Sequence, residues 1–289
     1  MQNTNTLCLG LYEKALPAQL DWAQRLGIAS ELGFQFMEIS IDEQPERQQR
    51  LDWDRQQRLA LINARFDSGI ALPSMCLSAH RRYPFGSADA ATRQQAQVLL
   101  EKALDFAVDL GIRNIQLAGY DVYYESSDRH TRERFIEGMQ WSVALAAKAQ
   151  VMLSVEIMDT PFINSISKWR EFSRQIASPW FTVYPDIGNL SAWGNDVAFE
   201  LEQGIDKITA IHLKDTLPVA PGAAGQFRDV PFGSGCVDFA HTFAVLDRLK
   251  YQGPFLLEMW ARNDGEDRQH IAQAKRWIEQ QRQIGSMAC

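Results

Sequence analysis

The sequence predicts an α/β fold, a (β/α)8 TIM barrel that forms a single domain over residues 1–289. Short apolar runs alternate eight times with helix-favouring segments, and eight parallel strands joined by helical crossovers can close on themselves. No break in composition, low-complexity tract or linker divides the chain. An open doubly wound sheet is the competing arrangement, but it usually begins with a glycine-rich phosphate loop, and no GxGxxG or Walker sequence is present. We therefore expect the barrel.

The predicted strands are short and mostly apolar, without the polar alternation of a strand that has one face in water. Such runs indicate burial on both faces, as in a parallel sheet covered by helices. In chain order they are residues 7–12, 34–40, 70–78, 114–118, 152–159, 181–186, 208–213 and 254–260.

The predicted helices fill the intervals between these strands. Several of them stop before a glycine, which commonly ends a helix because it adopts the left-handed conformation without strain. In chain order they are residues 21–32, 54–67, 88–110, 128–149, 167–176, 195–203, 239–249 and 267–282. A segment rich in glycine and proline, residues 217–235, interrupts the alternation before the seventh helix.

The size and charge of the chain limit its function. At 289 residues and 46% hydrophobic content it can bury a large core, which suits one barrel or two smaller domains. A formal net charge of −7 argues against a nucleic-acid partner, whose phosphates need clustered lysine and arginine. Residues 1–6 lack the features of a signal peptide, and no apolar run approaches the roughly 18 residues of a membrane span. We expect a cytoplasmic protein with no membrane partner.

The four cysteines predict neither a disulfide framework nor a zinc knuckle. Cys8, Cys76, Cys236 and Cys289 show no CxxC spacing, and most have apolar neighbours. We interpret them as reduced thiols in the core or at the terminus.

Four consecutive predicted strands each carry one metal-type ligand near the carboxyl end: Glu156, Asp186, His212 and Glu258. Barrel enzymes place their chemistry where strands run into the following loops, so these residues would surround one rim. Taken singly, each is more often a salt-bridge partner or a satisfied core group. Three carboxylates buried together without a cation would, however, be very costly. The pattern predicts one divalent ion (Mn²⁺, Co²⁺, Mg²⁺ or Zn²⁺), and oxygen ligands favour the harder ions.

Long motifs along nearly the whole chain resemble the L-xylulose-5-phosphate (L-ribulose-5-phosphate) 3-epimerase family of the xylose-isomerase-like barrel superfamily. They include GLYEKALP at residues 10–17, PSMCLSAHRR at 73–82, QLAGYDVYY at 116–124, YPDIGNLSAW at 184–193 and HLKDT at 212–216. The shorter stretches 156–159, 164–168 and 230–233 resemble the family as well.

The resemblance implies an isomerase that interconverts L-xylulose 5-phosphate and L-ribulose 5-phosphate in the breakdown of L-ascorbate or related L-sugars. The metal site of the family falls on the same four residues that the strand ends select. A homodimer is compatible with the family, although nothing in the sequence derives one.

Epimerisation at C3 removes a proton from one face of that carbon and returns a proton to the other, so it needs two bases. By similarity to related ketose 3-epimerases, Glu156 and Glu258 are the natural pair. A divalent ion at O2 and O3 would stabilise the charge that develops in the enediolate. Asp186 and His212 would act as ligands only.

The substrate phosphate needs a cationic or amide-rich pocket. Arg81 and Arg82, with His80 beside them, follow the third strand and form the clearest basic cluster, and Lys14 lies on the same rim after the first strand. These strands lie across the barrel mouth from the predicted metal ligands, so a five-carbon chain could reach between them. The alternative interpretation is a solvated loop with surface arginines.

A rival phosphate site follows the seventh strand, at the place that barrels often use. It would combine Lys214 and Arg228 with the turn at residues 233–235, whose glycine amides could hold an anion. Ketose 3-epimerases that act on unphosphorylated sugars place a histidine three residues after the metal aspartate, where this chain has Asn189. Asn189, Asp159 and Lys214 are therefore the candidates for holding the C1 hydroxyl.

Three other functions compete with the epimerase hypothesis. An abasic-site endonuclease on this barrel would need several more imidazoles, and only His80 and His212 occupy strand ends. An aldose–ketose isomerase would use the same metal site to move a proton between C1 and C2. A non-catalytic sugar-phosphate sensor would be expected to lack a ligand or a base, and none is missing.

Overall fold

A computed structural model describes residues 7–287, and within them eight parallel strands form the wall of a barrel. These strands are β1 (Leu9–Tyr12), β2 (Phe36–Ile41), β3 (Ala71–Leu77), β4 (Asn114–Ala118), β5 (Met152–Glu156), β6 (Phe181–Tyr184), β7 (Ile211–Leu213) and β10 (Phe255–Leu257). Their order in the sheet is β6-β5-β4-β3-β2-β1-β10-β7.

Two isolated parallel bridges, Val183 to Ile208 and Asp186 to His212, join β6 to the segment of β7 and bring the sheet close to full closure. The predicted α/β barrel is therefore confirmed. The seventh strand was expected from residue 208, whereas β7 begins at Ile211 and residue 208 takes part only through its bridge. Closure at this point places Asp186 directly beside His212.

Helices surround the barrel and connect its strands. They are α1 (Trp22–Glu31), α2 (Pro45–Gln48), α3 (Arg55–Ser68), α4 (Ala90–Leu110), α5 (Arg129–Ala149), α6 (Ile166–Ile176), α7 (Ile187–Ala192), α8 (Val197–Gly204), α9 (Phe239–Arg248) and α10 (Asp267–Met287). Short 3-10 helices cover Glu13–Ala15, Gln49–Asp52 and Ser78–Arg81.

Helix boundaries follow local side-chain chemistry. Asp21 and Asp54 each accept a hydrogen bond from a backbone N–H of the first turn and complete a capping box with the glutamine three residues later. Gly69 and Gly111 end α3 and α4 in the left-handed conformation, with φ of 72° at each. These are the signals that located the two helix ends in the sequence.

Among the features that were not expected from the sequence, two border the site described below. The six-residue helix α7 directly follows β6, and it is too short to show helical periodicity in the sequence. The segment predicted as an irregular excursion contains an antiparallel hairpin of β8 (Asp215–Leu217) and β9 (Gln226–Val230). Both features lie at the carboxyl end of the barrel.

The barrel interior changes from hydroxyl groups to acidic groups along its axis. Ser154 Oγ lies 2.7 Å from Thr182 Oγ1 and 2.8 Å from Thr209 Oγ1. Glu156 follows two residues later on β5 and so faces the same interior. The strand therefore delivers a carboxylate above a layer of mutually hydrogen-bonded hydroxyls.

Glu13 ties together the loops that follow β1 and β2. Its side chain is fully buried, and it forms ion pairs with Arg47 and with Arg50, the latter at 2.8 Å. The guanidinium of Arg25 donates to the Glu13 backbone carbonyl at 3.1 Å. This network fixes the 3-10 helix that contains Lys14.

The three cysteines among residues 7–287 are free thiols, as expected. Only Cys76 is buried, whereas Cys8 and Cys236 are exposed, so the expectation that these thiols lie in the core was wrong for those two. Cys289 lies outside the described residues. Among residues 7–287, no helix combines the length and the apolar character needed to cross a membrane.

Candidate metal centre and active site

Glu156, Asp186, His212 and Glu258 converge at the carboxyl end of the barrel. Each offers a ligand atom, and these atoms all lie within 4.8 Å of one another. All four side chains are buried. We call these four residues the ligand cluster.

The backbone presents each member of the cluster from a fixed point. Asp186 is the N-cap of α7, and its Oδ1 accepts the Asn189 backbone N–H at 2.9 Å, so its other oxygen is left to face the cluster. The backbone N–H of Glu258 donates to the Leu213 carbonyl at 3.0 Å, which continues the pairing of β10 with β7. The Glu156 carboxylate accepts a hydrogen bond from the Gln116 side chain.

The donor set fits a divalent cation. Three carboxylates and one imidazole are ligands that Mn²⁺, Co²⁺, Mg²⁺ and Zn²⁺ accept. Asp186 Oδ2 and Glu258 Oε2 are buried and accept no hydrogen bond of good geometry. Buried acceptors without donors are costly, and a cation among these oxygens would satisfy both of them.

Lys214 adds a positive charge directly to the cluster. Its Nζ lies 2.7 Å from Asp186 Oδ2 and 3.0 Å from Glu258 Oε2. These distances are those of ion pairs, although neither oxygen has a hydrogen bond of good geometry. We therefore treat the contact as an ion pair, because Coulomb attraction depends on distance more than on angle. Lys214 partly balances the three carboxylates of the cluster.

Burial and these charges set the protonation of the cluster. Burial raises the pKa of Asp186, and the nearby carboxylates of Glu258 and Glu156 raise it further against the opposing charge of Lys214. Burial also disfavours ionisation of Glu258, but the cations of Lys214 and His212 outweigh it and hold the pKa of Glu258 below its usual value. The two carboxyl groups beside Lys214 therefore differ in their affinity for a proton.

The ring of His212 has carboxylates at both nitrogens. Nδ1 lies 2.9 Å from Glu156 Oε1, 3.7 Å from Glu258 Oε2 and 3.9 Å from Asp186 Oδ2. Nε2 faces the opposite way and lies 3.3 Å from Glu38 Oε1. Glu38 lies on β2, near the end of the second predicted strand, and its spacing in the sequence does not mark it as part of this site.

A narrow cavity leads from the surface to the cluster. It is lined by Glu156 and Glu258 together with six of the residues predicted to bind substrate: Lys14, Arg81, Asp159, Asn189, Lys214 and Arg228. Asn189 is fully buried, and its Nδ2 donates to the Ile157 carbonyl at 2.7 Å while its Oδ1 has no partner. A buried acceptor at the cavity wall could receive a substrate hydroxyl.

Lys14 and Arg81 reach the cavity from the 3-10 helices that follow β1 and β3. β3 pairs with no strand of the cluster, whereas β1 pairs with β10, so Lys14 starts beside the strand that leads to Glu258 and not across the barrel mouth from it. Lys14 forms an ion pair with Asp42, and Arg81 lies 3.6 Å from Glu43. Arg81 also donates to the Tyr120 hydroxyl at 3.3 Å, while its Nε is buried and has no partner. Arg81 therefore retains a donor that a ligand could use.

His80 and Arg82 do not line this cavity, although they flank Arg81 in the sequence. His80 is buried and its Nε2 contacts the Ala96 carbonyl of α4 at 3.1 Å, so the ring packs under the helix. Burial lowers the pKa of His80 to about 4, which keeps the ring neutral. Arg82 is exposed and packs over the ring of Tyr83. The expected cluster of three basic residues is therefore divided among three environments.

The glycine turn predicted as a rival anion site has its amides engaged within the protein. The backbone N–H groups of Gly233 and Gly235 both donate to Asp215 Oδ2 at 2.9 Å. Arg228 is exposed on β9 with its guanidinium 5.0 Å from the centre of the Trp260 ring. It lines both the narrow cavity and a wider neighbouring cavity of about 400 Å³.

Comparison with known proteins agrees with this geometry. Residues 26–281 match the family described as the xylose isomerase-like TIM barrel. The chain belongs to this family. The family assignment confirms the barrel and the wider superfamily that the sequence motifs indicated.

Full-length relatives in this family carry the name of a sugar-phosphate epimerase. The L-ribulose-5-phosphate 3-epimerase UlaE of Escherichia coli O157:H7 is 53% identical over 271 residues, which are 94% of this chain and 93% of that protein. SgbU of Escherichia coli strain K12, which carries the same activity name provisionally, is 58% identical over 281 residues, 97% of this chain and 98% of its own. The resemblance to this group and the prediction of an isomerase are confirmed by these relatives.

Solved structures with low sequence identity share the fold of the chain. A structure of L-ribulose 3-epimerase superposes with a TM-score of 0.78 at 17% identity and covers 98% of this chain and 96% of its own. A D-tagatose 3-epimerase-like protein superposes with a TM-score of 0.79 at 13% identity, over 98% of this chain and 99% of its own.

Replacing Lys214 should destabilise the metal-free protein. Lys214→Met leaves the buried carboxylates of Asp186 and Glu258 without their shared cation, so we expect the free energy of unfolding to fall by about 3 kcal/mol. Urea denaturation in the presence of a chelator measures the loss. Lys148→Met, which removes an exposed lysine from α5, is the control and should leave the midpoint unchanged. Equal midpoints for wild type and Lys214→Met would contradict the role of this ion pair.

His80 should make stability depend on pH below neutrality. Because its pKa is about 4 in the folded protein against about 6.5 unfolded, only the unfolded chain takes up a proton between these values. This contribution to stability is complete above pH 6.5 and is lost as the pH falls towards 4, by roughly 3 kcal/mol. In chelator, His80→Gln should show a shallower fall in unfolding free energy over this range. Parallel curves would show that His80 does not titrate as the structure indicates.

Proposed function

We propose that this protein is a metal-dependent 3-epimerase that interconverts L-xylulose 5-phosphate and L-ribulose 5-phosphate. The observation that carries the proposal is the convergence of the ligand cluster, with two glutamates among its members, at the mouth of the barrel. The name of the full-length relatives supplies the substrate class, a ketopentose 5-phosphate. Residues 1–289 would act as one catalytic domain.

Glu156 and Glu258 are the proposed acid–base pair. Glu156 ends β5 and Glu258 follows β10. Across the bridges that close the barrel, Asp186, which follows β6, and His212 on β7 lie between them. This order supports the assignment of the two glutamates to opposite flanks of the cluster. Glu156 and Glu258 can therefore address opposite faces of C3, as inversion at that carbon requires.

The two glutamates would exchange a proton with C3 in turn. In one direction, one carboxylate removes the C3 proton while the other, protonated, returns a proton to the opposite face. The reverse reaction exchanges the roles. A divalent ion held by the cluster would supply Lewis-acid stabilisation of the negative charge that develops when the proton leaves. The donor set suits Mn²⁺, Co²⁺, Mg²⁺ and Zn²⁺.

The remaining polar residues of the narrow cavity would hold the sugar phosphate. Lys14 and Arg81 line the cavity and come from segments outside the four that carry the cluster, so they are the proposed phosphate ligands, and the unpartnered Nε of Arg81 supports this assignment. Asn189 offers its free Oδ1 to a sugar hydroxyl. Lys214 would bind and orient the acidic side chains of the cluster, since both of its carboxylate partners belong to it.

The proposed reaction fits a place in the breakdown of L-ascorbate or a related L-sugar, in the cytoplasm. A homodimer also stays a prediction. No observation in residues 7–287 favours the alternative of an aldose–ketose isomerase, and the position of the exchanged hydrogen separates the two reactions.

Replacing either glutamate by glutamine should abolish turnover without loss of the fold. Glu156→Gln and Glu258→Gln each remove a proton-transfer group, so we expect kcat to fall by about 10³-fold. NMR in deuterated water follows incorporation of deuterium at C3 of L-xylulose 5-phosphate, while incorporation at C1 would indicate the isomerase. Glu202→Gln, at an exposed position on α8, is the control. Near-normal C3 exchange in Glu156→Gln would refute the mechanism.

The phosphate assignment predicts a selective effect on substrate binding. Arg81→Ala and Lys14→Ala should each raise KM for the 5-phosphate by about tenfold or more, because each loses a charged hydrogen bond. Turnover of unphosphorylated L-ribulose should change little. Arg82→Ala is the matched control, since it removes the neighbouring but exposed guanidinium. If Arg228→Ala alone showed the selective loss, the phosphate would bind on the β9 side of the cavity instead.

A further inference from the structure

Glu38 is a buried carboxylate that contacts the imidazole of the ligand cluster from behind. It lies on β2, is 0% exposed, and its Oε1 is 3.3 Å from His212 Nε2. Its other oxygen, Oε2, accepts a hydrogen bond from the Tyr184 hydroxyl at 3.2 Å. The side chain therefore links β2 to β7 and to β6 through the barrel interior.

Within residues 7–287, no lysine or arginine forms an ion pair with Glu38. Among the ion pairs formed within residues 7–287, the partner of Glu38 is His212. The comparison with Glu13 is informative, because Glu13 is equally buried but is surrounded by Arg25, Arg47 and Arg50. A buried carboxylate that lacks such partners needs a strongly polarised donor. The Nε2–H group of His212 is the nitrogen donor that lies close enough to Glu38 to supply this hydrogen bond.

The two ring nitrogens of His212 therefore face different partners. Nδ1 faces Glu156, Asp186 and Glu258, where a cation would lie. Nε2 faces Glu38, which as a carboxylate can only accept a hydrogen bond. The acceptor at Nε2 keeps a proton there, so a cation among the three carboxylates would take the place of the proton on Nδ1.

We propose that Glu38 is a positioning residue of the metal centre, which holds His212 with its proton on Nε2 so that Nδ1 is the metal ligand. This inference rests on the proposed function, because it concerns the same metal site. The hydrogen bond to Glu38 also makes the imidazole a more basic ligand, as carboxylates behind metal-bound histidines generally do.

Tyr184 completes the arrangement by fixing Glu38 itself. Its ring packs edge-on against His212, with ring centres 4.5 Å apart, while its hydroxyl donates to Glu38 Oε2. Each Glu38 oxygen thus has one donor, and the aromatic ring restricts rotation of the imidazole. The residues Glu38, Tyr184 and His212 form a connected unit below the cluster.

The test is the affinity of the metal-free protein for Co²⁺, measured without any substrate. We expect Glu38→Gln to weaken Co²⁺ binding by about 10- to 100-fold, as followed by the visible absorption of the bound ion. Glu200→Gln is the matched control, because Glu200 is also buried but accepts its hydrogen bonds from Ser167 on α6. The control should lower stability without changing the Co²⁺ affinity.

A second signal reports the imidazole directly. In the Co²⁺-loaded wild type the Nε2–H of His212 should give a hyperfine-shifted proton NMR signal that is lost in deuterated water and exchanges slowly, because the proton is buried against Glu38. In Glu38→Gln that proton should exchange faster. A merely structural role for Glu38 would leave this exchange rate unchanged.

The outcomes separate this inference from the proposed function. If the wild type binds no divalent ion, the proposed function fails. If the wild type binds Co²⁺ and Glu38→Gln binds it within threefold of the same affinity, only the role of Glu38 is overturned. If Glu38→Gln does not fold, the Co²⁺ affinity of Glu38→Asp is the deciding measurement. The shorter side chain keeps the carboxylate charge but moves it away from His212 Nε2. A tenfold loss in that variant supports the proposal, and an unchanged affinity overturns it.

Discussion

The electrostatic constraint on this protein is the presence of three carboxylates in one buried volume. Glu156, Asp186 and Glu258 lie within reach of a common point, and the cations that the chain itself provides there are Lys214 and the imidazole of His212. Like charges at such distances in a medium of low polarity repel strongly, so the arrangement requires compensation. The barrel supplies the rigidity that holds the groups together against this repulsion.

That rigidity can be traced to the strands and their caps. Asp186 directs one oxygen to the first turn of α7 and the other to the cluster, so a single residue begins a helix and contributes a ligand. Glu156 extends from a strand whose interior neighbours are hydrogen-bonded hydroxyls, which fixes its height along the barrel axis. The geometry that the proposed proton transfer at carbon requires would therefore be set by the backbone more than by flexible loops.

The ligand positions were predictable from the sequence because parallel strands all end at the same edge. Four apolar runs, each with one metal-type residue near its end, specify a rim without any three-dimensional information. Glu38 also follows this pattern, on the second strand, but its importance depends on reaching His212 across the interior. That contact is a consequence of barrel closure, and spacing along the chain carries no signal of it.

Loop residues were less predictable for a related reason. His80, Arg81 and Arg82 are consecutive, yet one lies under α4, one lines the cavity and one is exposed. A tight 3-10 turn directs successive side chains about 120° apart, so charge alone could not tell which of them faces the substrate. The glycine turn at residues 233–235 was misjudged because its acceptor, Asp215, lies 18 or more positions earlier in the sequence.

The incomplete pairing of β6 with β7 has a mechanical consequence. The two edges meet through isolated bridges and not through a continuous ladder of backbone hydrogen bonds. The backbone pairing of the barrel wall is therefore weakest at this junction. Asp186 and His212 lie on opposite sides of that junction, and Glu156 and Glu258 lie one strand further away on either side. An ion bound by all four residues would connect the two sides of this junction, so we expect metal binding to stabilise the closed barrel.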